Sequence, residues 1–254
     1  MDTVAEFRAL LGVDVIDSAS TAPHLLPQVP TVLQTLLGAG MDVVGISRDD
    51  AVDTQYTGDG WLYAFPTALL GRVVDLGHAL DAIVAEHNKW NKLELRLRLA
   101  VEVGPLPDGP GFHPSNITRA RLLEAPAFKV LARRCIAARP DGSMSTAMIV
   151  SDAVYQPVFR SDYTKVARRT DYAALTVTNK EFAAQAWVAV PGFDARTLAT
   201  MIAEDQAPSP APAKKKDKPA RSGDTVKTVV NGTVKNSIVA GIIKGNVTTN
   251  EGGA

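Results

Sequence analysis

A Gly-Asp-Gly turn between two strand-like runs constrains the fold of this chain more than any other feature of its sequence. The turn is Gly58-Asp59-Gly60 within residues 53–65, and the run that leaves it reads Trp-Leu-Tyr-Ala-Phe. Because glycine adopts positive φ readily, this pattern predicts a tight β-hairpin. Asp59 then lies at the hairpin tip with its carboxylate free, either as a solvated turn residue or as a ligand for a cation.

A second aspartate interrupts an apolar run near the start of the chain. Residues 7–16 are predicted to form the first strand, and Asp14 lies within its Val-Asp-Val segment. An ionised carboxylate in such a strand is costly unless it is paired or binds a metal. Asp14 on a strand and Asp59 on a nearby hairpin would together suit Mg²⁺ and a triphosphate.

The remaining hydrophobic periodicity predicts an α+β sandwich with helices on one face of a sheet. Leu93 to Val103 alternates and is predicted to be a half-buried strand, and Cys135 is predicted to be a small core residue. The predicted elements after the first strand are a helix from about Pro30 that ends at Gly38-Ala39-Gly40, a strand at 41–46, the hairpin, a helix at 66–88, the 93–103 strand, a helix at 115–138, a strand at 146–150, a helix at 151–160 capped by Ser151, and an antiparallel pair at 173–178 and 185–190.

Four blocks in this order resemble the class III nucleotide cyclase homology domain, over roughly residues 7–192. The blocks are Val13-Asp14-Val15, the hairpin Gly58-Asp59-Gly60 followed by Phe65, the run Leu95 to Gly104, and Arg121-Leu122-Leu123-Glu124-Ala125-Pro126. The resemblance implies a ferredoxin-like sandwich with a mixed or antiparallel sheet. It also implies Mg or Mn with an NTP as cofactor and substrate, and a domain homodimer that completes the site.

The resemblance assigns roles to a few residues of this sequence. Asp14 and Asp59 match the metal ligands, with Asp17 as a neighbour that could replace Asp14, and Arg121 matches the arginine of an Asn-x-x-x-Arg helix. The position four residues before Arg121 holds Ile117, and Asn116 is one position away, which turns it about 100° around a helix. The metal half of the site is therefore kept and the ribose half is altered. The interpretations that remain open are an active cyclase, a degenerate domain that still binds a nucleotide or metal, and a structural remnant.

The chain changes character after residue 204, so the predicted domains are 1–204, a linker at 205–225 and a tail at 226–254. The linker is Pro-, Ala- and Lys-rich with no large apolar side chain, which predicts disorder. From residue 207 onward there are eight basic and three acidic residues; the chain has no net charge, so the preceding part carries about −5. A mildly acidic domain with a basic tail is not typical of a dedicated nucleic-acid binder.

The tail at 226–250 is rich in Val, Ile, Thr and Asn and has no helical period. Identical copies could stack in register as β-strands, with asparagine ladders and a dry apolar interior. The predicted assembly residues are Val234, Asn236, Ile238, Val239, Gly241, Ile242, Ile243, Gly245 and Val247. The segment resembles the short amyloid signalling motifs of bacterial immune proteins, which are similar to the RHIM motif. The alternative is a hairpin docked on the domain's own sheet edge.

Two functions from different classes follow. The first is an interaction protein, in which a degenerate cyclase-like domain carries a self-assembling tail that recruits a motif-bearing partner, such as an NLR-like sensor, in bacterial defence or regulated cell death. The second is a metal-dependent nucleotide cyclase. The first residues are neither basic nor apolar enough for a signal peptide, and no apolar run is long enough to span a bilayer. The expected compartment is the cytoplasm, and a membrane role is not expected.

Overall fold

The computed structural model describes residues 5–107, 113–139 and 144–206. They form one mixed sheet and six α-helices with short 3₁₀ turns between them. The strands are β1 Phe7–Val15, β2 Asp53–Tyr56, β3 Gly60–Pro66, β4 Leu97–Pro105, β5 Thr146–Ser151, β6 Ala173–Asn179 and β7 Phe182–Ala189. The helices are α1 Val29–Val44, α2 Leu70–Trp90, α3 Pro114–Leu123, α4 Pro126–Ala138, α5 Asp152–Arg160 and α6 Ala195–Gln206.

The seven strands lie in the order β2-β3-β1-β4-β5-β7-β6. All neighbouring pairs are antiparallel except β4 and β5, which run parallel. The predicted α+β fold, the hairpin of β2 and β3, and the late antiparallel pair of β6 and β7 are confirmed. Strand β2 forms one edge of the sheet and is exposed along its whole length.

Helices cover both faces of the sheet, so the prediction of helices on one face was wrong. Alternate residues of β1 and β4, such as Leu11 and Leu99, pack with α1, α2 and α5 in one core. Ala100 of β4 belongs to a second core with α3, α4 and α6. The buried Cys135 lies in this second core, as predicted.

Strand β4 is buried on both faces, although its alternation predicted a half-buried strand. Its polar residues Arg98 and Glu102 are only 8% and 5% exposed. Helix α3 packs across β4 and β1 and removes this polar face from water. The period-2 pattern identified the strand correctly, but charged side chains on the second face belong to a buried polar layer here.

The strand predicted at Met41–Ile46 does not form, because α1 continues to Val44 and ends at Gly45 with φ 72°. The predicted stop at Gly38 and Gly40 was wrong for a packing reason. A Cβ on Gly40 would lie 2.7 Å from a methyl carbon of Leu80, and one on Gly38 would meet the Arg48 guanidinium. These glycines allow close approach of neighbouring groups inside a helix, rather than ending it.

The single helix predicted at residues 115–138 is two helices, α3 and α4, separated at Glu124 and Ala125. Pro126 opens α4, and a proline disfavours helical backbone at the residue before it. Ala125 has φ −58° and ψ 124°, as this steric rule requires. The predicted helix at 151–160 is confirmed, with the Ser151 hydroxyl accepting a hydrogen bond from the Val154 amide.

A buried aspartate fixes the loop that follows α5. Asp75 of α2 is 3% exposed and its carboxylate accepts from the backbone amides of Lys165, Val166 and Ala167 at 2.7, 3.0 and 2.8 Å. Gly71 lies one turn earlier on α2, and because it has no side chain the carbonyl oxygen of Tyr163 can approach it closely. A Cβ on Gly71 would lie only 2.1 Å from that oxygen. The loop is therefore held to the helix by polar contacts.

Among the described residues, no helix is both long and apolar enough to cross a bilayer. Helix α6, which the periodicity did not predict, ends at Gln206. The rest of the predicted linker and all of the predicted assembly residues lie outside the described residues, so the domain boundaries and the tail motif stay predictions.

Candidate functional site

Asp14 lies near the end of β1 on the face covered by α3, where it meets a buried arginine. Arg98 of β4 is its cross-strand neighbour. The arginine donates from Nε to Oδ1 at 2.9 Å and from Nη2 to Oδ2 at 2.6 Å. Both residues are less than 10% exposed. This is a two-pronged arginine–carboxylate pair, the geometry in which guanidinium binds most strongly.

Burial dominates the electrostatics of this carboxyl group. It raises the pKa of Asp14 to about 6, and the attraction and hydrogen bonds of Arg98 lower the pKa only in part. The carboxylates of Glu124 and Asp59 add smaller upward effects on the same pKa. The charge of Asp14 therefore depends on both its burial and its pairing with Arg98.

The raised pKa of Asp14 predicts a pH dependence of stability. The unfolded carboxyl titrates near 3.8 and the folded one near 6, so between these values the folded chain holds the extra proton. The contribution of Asp14 to stability is therefore largest below pH 4 and falls as pH rises to 6, by about 3 kcal/mol. We expect the difference in unfolding free energy between wild type and Asp14→Asn to fall by this amount between pH 4 and pH 7. A difference that is constant over this range would contradict the prediction.

The hairpin tip brings Asp59 to the same end of β1. Gly60 pairs with Asp14, and the Val15 amide donates to the Asp59 carbonyl at 3.2 Å. Gly58 has φ 101°, as the turn requires, and a Cβ on Gly60 would be 2.1 Å from the Val13 carbonyl oxygen. The glycines of the motif therefore let the tip press against β1, which the sequence pattern alone could not show.

The carboxylate of Asp59 is also engaged within the chain. Its Oδ2 accepts a hydrogen bond from the Ser18 hydroxyl at 2.9 Å. Asp17, the predicted substitute for Asp14, takes left-handed backbone at φ 53° and accepts from the guanidinium of Arg133 at 2.7 Å. This hydrogen bond is the main cause that lowers the pKa of Asp17. Asp17 is thus paired with α4.

The donor set at this end of the sheet does not fit a divalent cation as it is folded. Both oxygens of Asp14 accept from Arg98, and Asp59 accepts from Ser18. Within residues 5–107, 113–139 and 144–206, no cluster of three or more His, Cys, Asp or Glu side chains could hold a metal. A cation would have to displace the Arg98 guanidinium to reach Asp14. The metal role of Asp14 and Asp59 stays a prediction.

The predicted ribose-side residues lie together in a separate groove. Asn116 and Arg121 of α3 both line a cavity of about 440 Å³ that also includes Gln55 of the edge strand β2. Ile117, which holds the position expected for asparagine, is 41% exposed and lines the same cavity. Asn116, Ile117 and Arg121 therefore line one cavity, and the catalytic roles of Asn116 and Arg121 stay a prediction.

Arg119 is the residue in this groove that sequence reasoning did not assign to the site. Its side chain is buried across Gly12 of β1, with Cδ and Nε at 3.3 and 3.5 Å from the place of a glycine Cβ. Burial lowers the pKa of Arg119 to about 10, and Asp53 of β2 opposes this effect. The guanidinium is still charged at neutral pH. A basic residue two positions before Arg121 was visible in the sequence, but its burial follows from the packing of α3 on β1 and β4.

The carboxylates and the groove are distinct places within one chain, since neither Asp14 nor Asp59 lines the groove. Arg98 is the second residue that the sequence did not single out. In the sequence, Arg98 is one of the polar residues that alternate with apolar ones along the predicted strand. Its role becomes visible only when β4 pairs with β1 and Arg98 lies opposite Asp14.

Comparison with solved structures gives matches to cyclases. A crystal structure titled adenylate/guanylate cyclase/hydrolase from Silicibacter pomeroyi matches with 19% identity and a TM-score of 0.50, covering 75% of this chain and all of that one. A bacterial light-regulated adenylyl cyclase matches with 9% identity and a TM-score of 0.51, covering 80% of this chain and 98% of that one.

No family model matches the sequence, and no curated protein matches it. At identities below 20%, the structural matches establish the fold alone. The expectation of a cyclase-like α+β fold is confirmed: the described residues adopt the fold of adenylate and guanylate cyclase domains.

Proposed function

We propose that this chain is a signalling interaction protein rather than a cyclase. Its cyclase-like domain binds a nucleotide without cyclising it, and the predicted linker at 205–225 tethers it to a tail at 226–254 that self-associates. The tail recruits a partner with a similar motif, such as an NLR-like sensor in bacterial defence or regulated cell death. The resemblance of residues 226–250 to amyloid signalling motifs is the support for this context.

The pairing of Asp14 with Arg98 carries the proposal that the domain is not a cyclase. A cyclase of the resembled family needs both aspartates as metal ligands, whereas here an internal cation is bound to both oxygens of Asp14. A metal ion that took Asp14 would leave the buried Arg98 guanidinium without its anion, so the exchange is unfavourable. Ile117 in the asparagine position weakens the ribose side independently.

An active metal-dependent cyclase is the second candidate, because Asp59 is held beside the end of β1 through the Val15 amide, close to Asp14. Incubation of the purified chain with Mn²⁺ or Mg²⁺ and each NTP separates the two candidates. We expect no cyclic nucleotide above the level of Asp59→Ala. Cyclic product from wild type that is lost in Asp59→Ala would overturn the first proposal.

The tail has its own test in the full chain. We expect wild type to form thioflavin-positive fibres with a reflection near 4.7–4.8 Å. Ile238→Asp should abolish them, because a charge enters the predicted dry interior, and Gly241→Pro should do the same by removing a backbone donor. Ser209→Asp, in the predicted linker, is the matched control and should leave fibre formation unchanged. A wild-type chain that stays monomeric at high concentration would contradict the proposed assembly.

A further inference from the structure

The groove between α3 and β2 has a buried arginine as its floor. Arg119 is 5% exposed, lies across Gly12 of β1 and lines the 440 Å³ cavity. The volume is within the range of about 300–1,000 Å³ that small-molecule sites occupy. Because Gly12 has no side chain, the Arg119 side chain can lie directly on β1.

The guanidinium in this position lacks a complete set of partners. Among the described residues, Nε of Arg119 is buried and has no hydrogen-bond acceptor. Asp53 is near enough to act on it electrostatically, but it is exposed on the edge strand. Glu124, the acidic residue that lines the groove, is paired with Lys129. A buried charged donor without an acceptor is costly, and a bound ion or a role in function is among the reasons that a native structure keeps one.

We propose that this groove binds the phosphate of a nucleotide directly through Arg119, without a metal ion. A planar guanidinium with free donors matches phosphate oxygens two at a time. Asn116, Arg121 and Gln55 supply further polar groups around the cavity, and the exposed side chain of Ile117 supplies an apolar wall. The choice of a nucleotide among phosphate compounds rests on the function proposed above, whereas the anion site rests on Arg119 itself.

The groove does not use the Asp14 and Asp59 carboxylates, since neither lines it. Phosphate bound here would contact the Arg119 guanidinium. It would therefore need no divalent cation to link it to the carboxylates of Asp14 and Asp59. This distinguishes the groove from the metal-dependent triphosphate site that the resemblance implies for Asp14 and Asp59.

Calorimetric titration of the full chain in EDTA tests the site. The ligands are tripolyphosphate, ATP and GTP, with adenosine as the uncharged control. We expect both nucleotides and tripolyphosphate to bind wild type, and Arg119→Met to weaken each by at least tenfold. Arg119→Lys should be intermediate, because it keeps the charge and loses the planar fork. Arg160→Met, at an exposed arginine on the opposite face of the sheet, is the matched control and should bind as wild type does.

A stability measurement separates a ligand site from a structural arginine. Without ligand, Arg119→Met should melt at or above the wild-type temperature, because it replaces an incompletely paired buried charge with an apolar chain of similar length. A lower melting temperature together with unchanged anion binding would overturn the proposal. So would the absence of any anion binding to wild type in EDTA. Binding of tripolyphosphate but not of nucleotides would keep the site and reject a nucleotide as its ligand. Nucleotide binding that ignores Arg119 would reject the site and leave the proposed function intact.

Discussion

Arg98→Met is expected to lower the unfolding free energy by about 3–5 kcal/mol at pH 8, because it leaves Asp14 buried and unpaired. The loss should shrink at pH 5, since Asp14 then takes up a proton instead of remaining charged; its pKa is already about 6 with the partner present. Urea denaturation at the two pH values measures both effects.

A double-mutant cycle assigns the loss to the pair. Replacing both members, as Asp14→Leu with Arg98→Met, should recover most of the stability, because no charge is then buried alone. Arg96→Met is the matched control in the segment that leads into the same strand. The Arg96 side chain is 30% exposed and its Nη2 lies 3.7 Å from Glu94, so the change should stay within about 0.5 kcal/mol. Equal losses from Arg96→Met and Arg98→Met would contradict the importance of the pair.

The same variant tests whether Arg98 stands in for a metal. Without the guanidinium, the carboxylates of Asp14 and Asp59 gain the freedom to bind a cation. Millimolar Mn²⁺ should therefore raise the melting temperature of Arg98→Met and leave that of wild type unchanged. If Mn²⁺ stabilised wild type equally, and Asp59→Ala removed the effect, the proposal of a non-catalytic domain would fail.

Asp75→Ala is expected to cost about 4 kcal/mol, because three backbone amides of the 165–167 segment lose their acceptor inside the protein. The effect should be local as well as global: limited proteolysis should cut the loop at 161–168 earlier in the variant than in wild type. Denaturation and mass spectrometry of the fragments measure the two consequences.

Two further variants give this prediction its scale. Asp75→Asn should lose less than Asp75→Ala, since its amide oxygen still accepts hydrogen bonds while its amide nitrogen does not. Asp42→Ala removes an exposed carboxylate from α1 and should change stability by no more than about 0.5 kcal/mol. A loop that resists cleavage in Asp75→Ala would show that other contacts hold it.

Local patterns predicted the elements whose cause is local. The Gly58-Asp59-Gly60 turn, the cap at Ser151 and the strand at 173–178 were predicted from neighbouring residues, and all three are confirmed. Element boundaries failed where a distant element decides them. The glycines of α1 resemble a helix end in the sequence, but in the structure α2 packs against them inside the helix. At Pro126 the proline restricts the backbone of Ala125, and this effect ends α3 although the surrounding sequence has a helical pattern.

The site shows the same division between local and distant causes. The sequence placed Asp14 and Asp59 at one end of the sheet and grouped Asn116 with Arg121, because each prediction rested on a short motif. It could not show that Arg98 binds Asp14, since this depends on the register of β4 against β1. Nor could it show that Arg119 is buried, since α3 must first cover the sheet.

Gly12 of β1 lies directly beneath the Arg119 side chain, which forms the floor of the groove. A Cβ there would lie 3.3 Å from the Arg119 side chain, so a larger residue at position 12 would require Arg119 to shift. Related chains should therefore change these two positions together, with glycine accompanying arginine and larger residues accompanying short side chains. Such paired replacement would mark, from sequence alone, which relatives have kept a cationic floor beneath α3 and which have filled it.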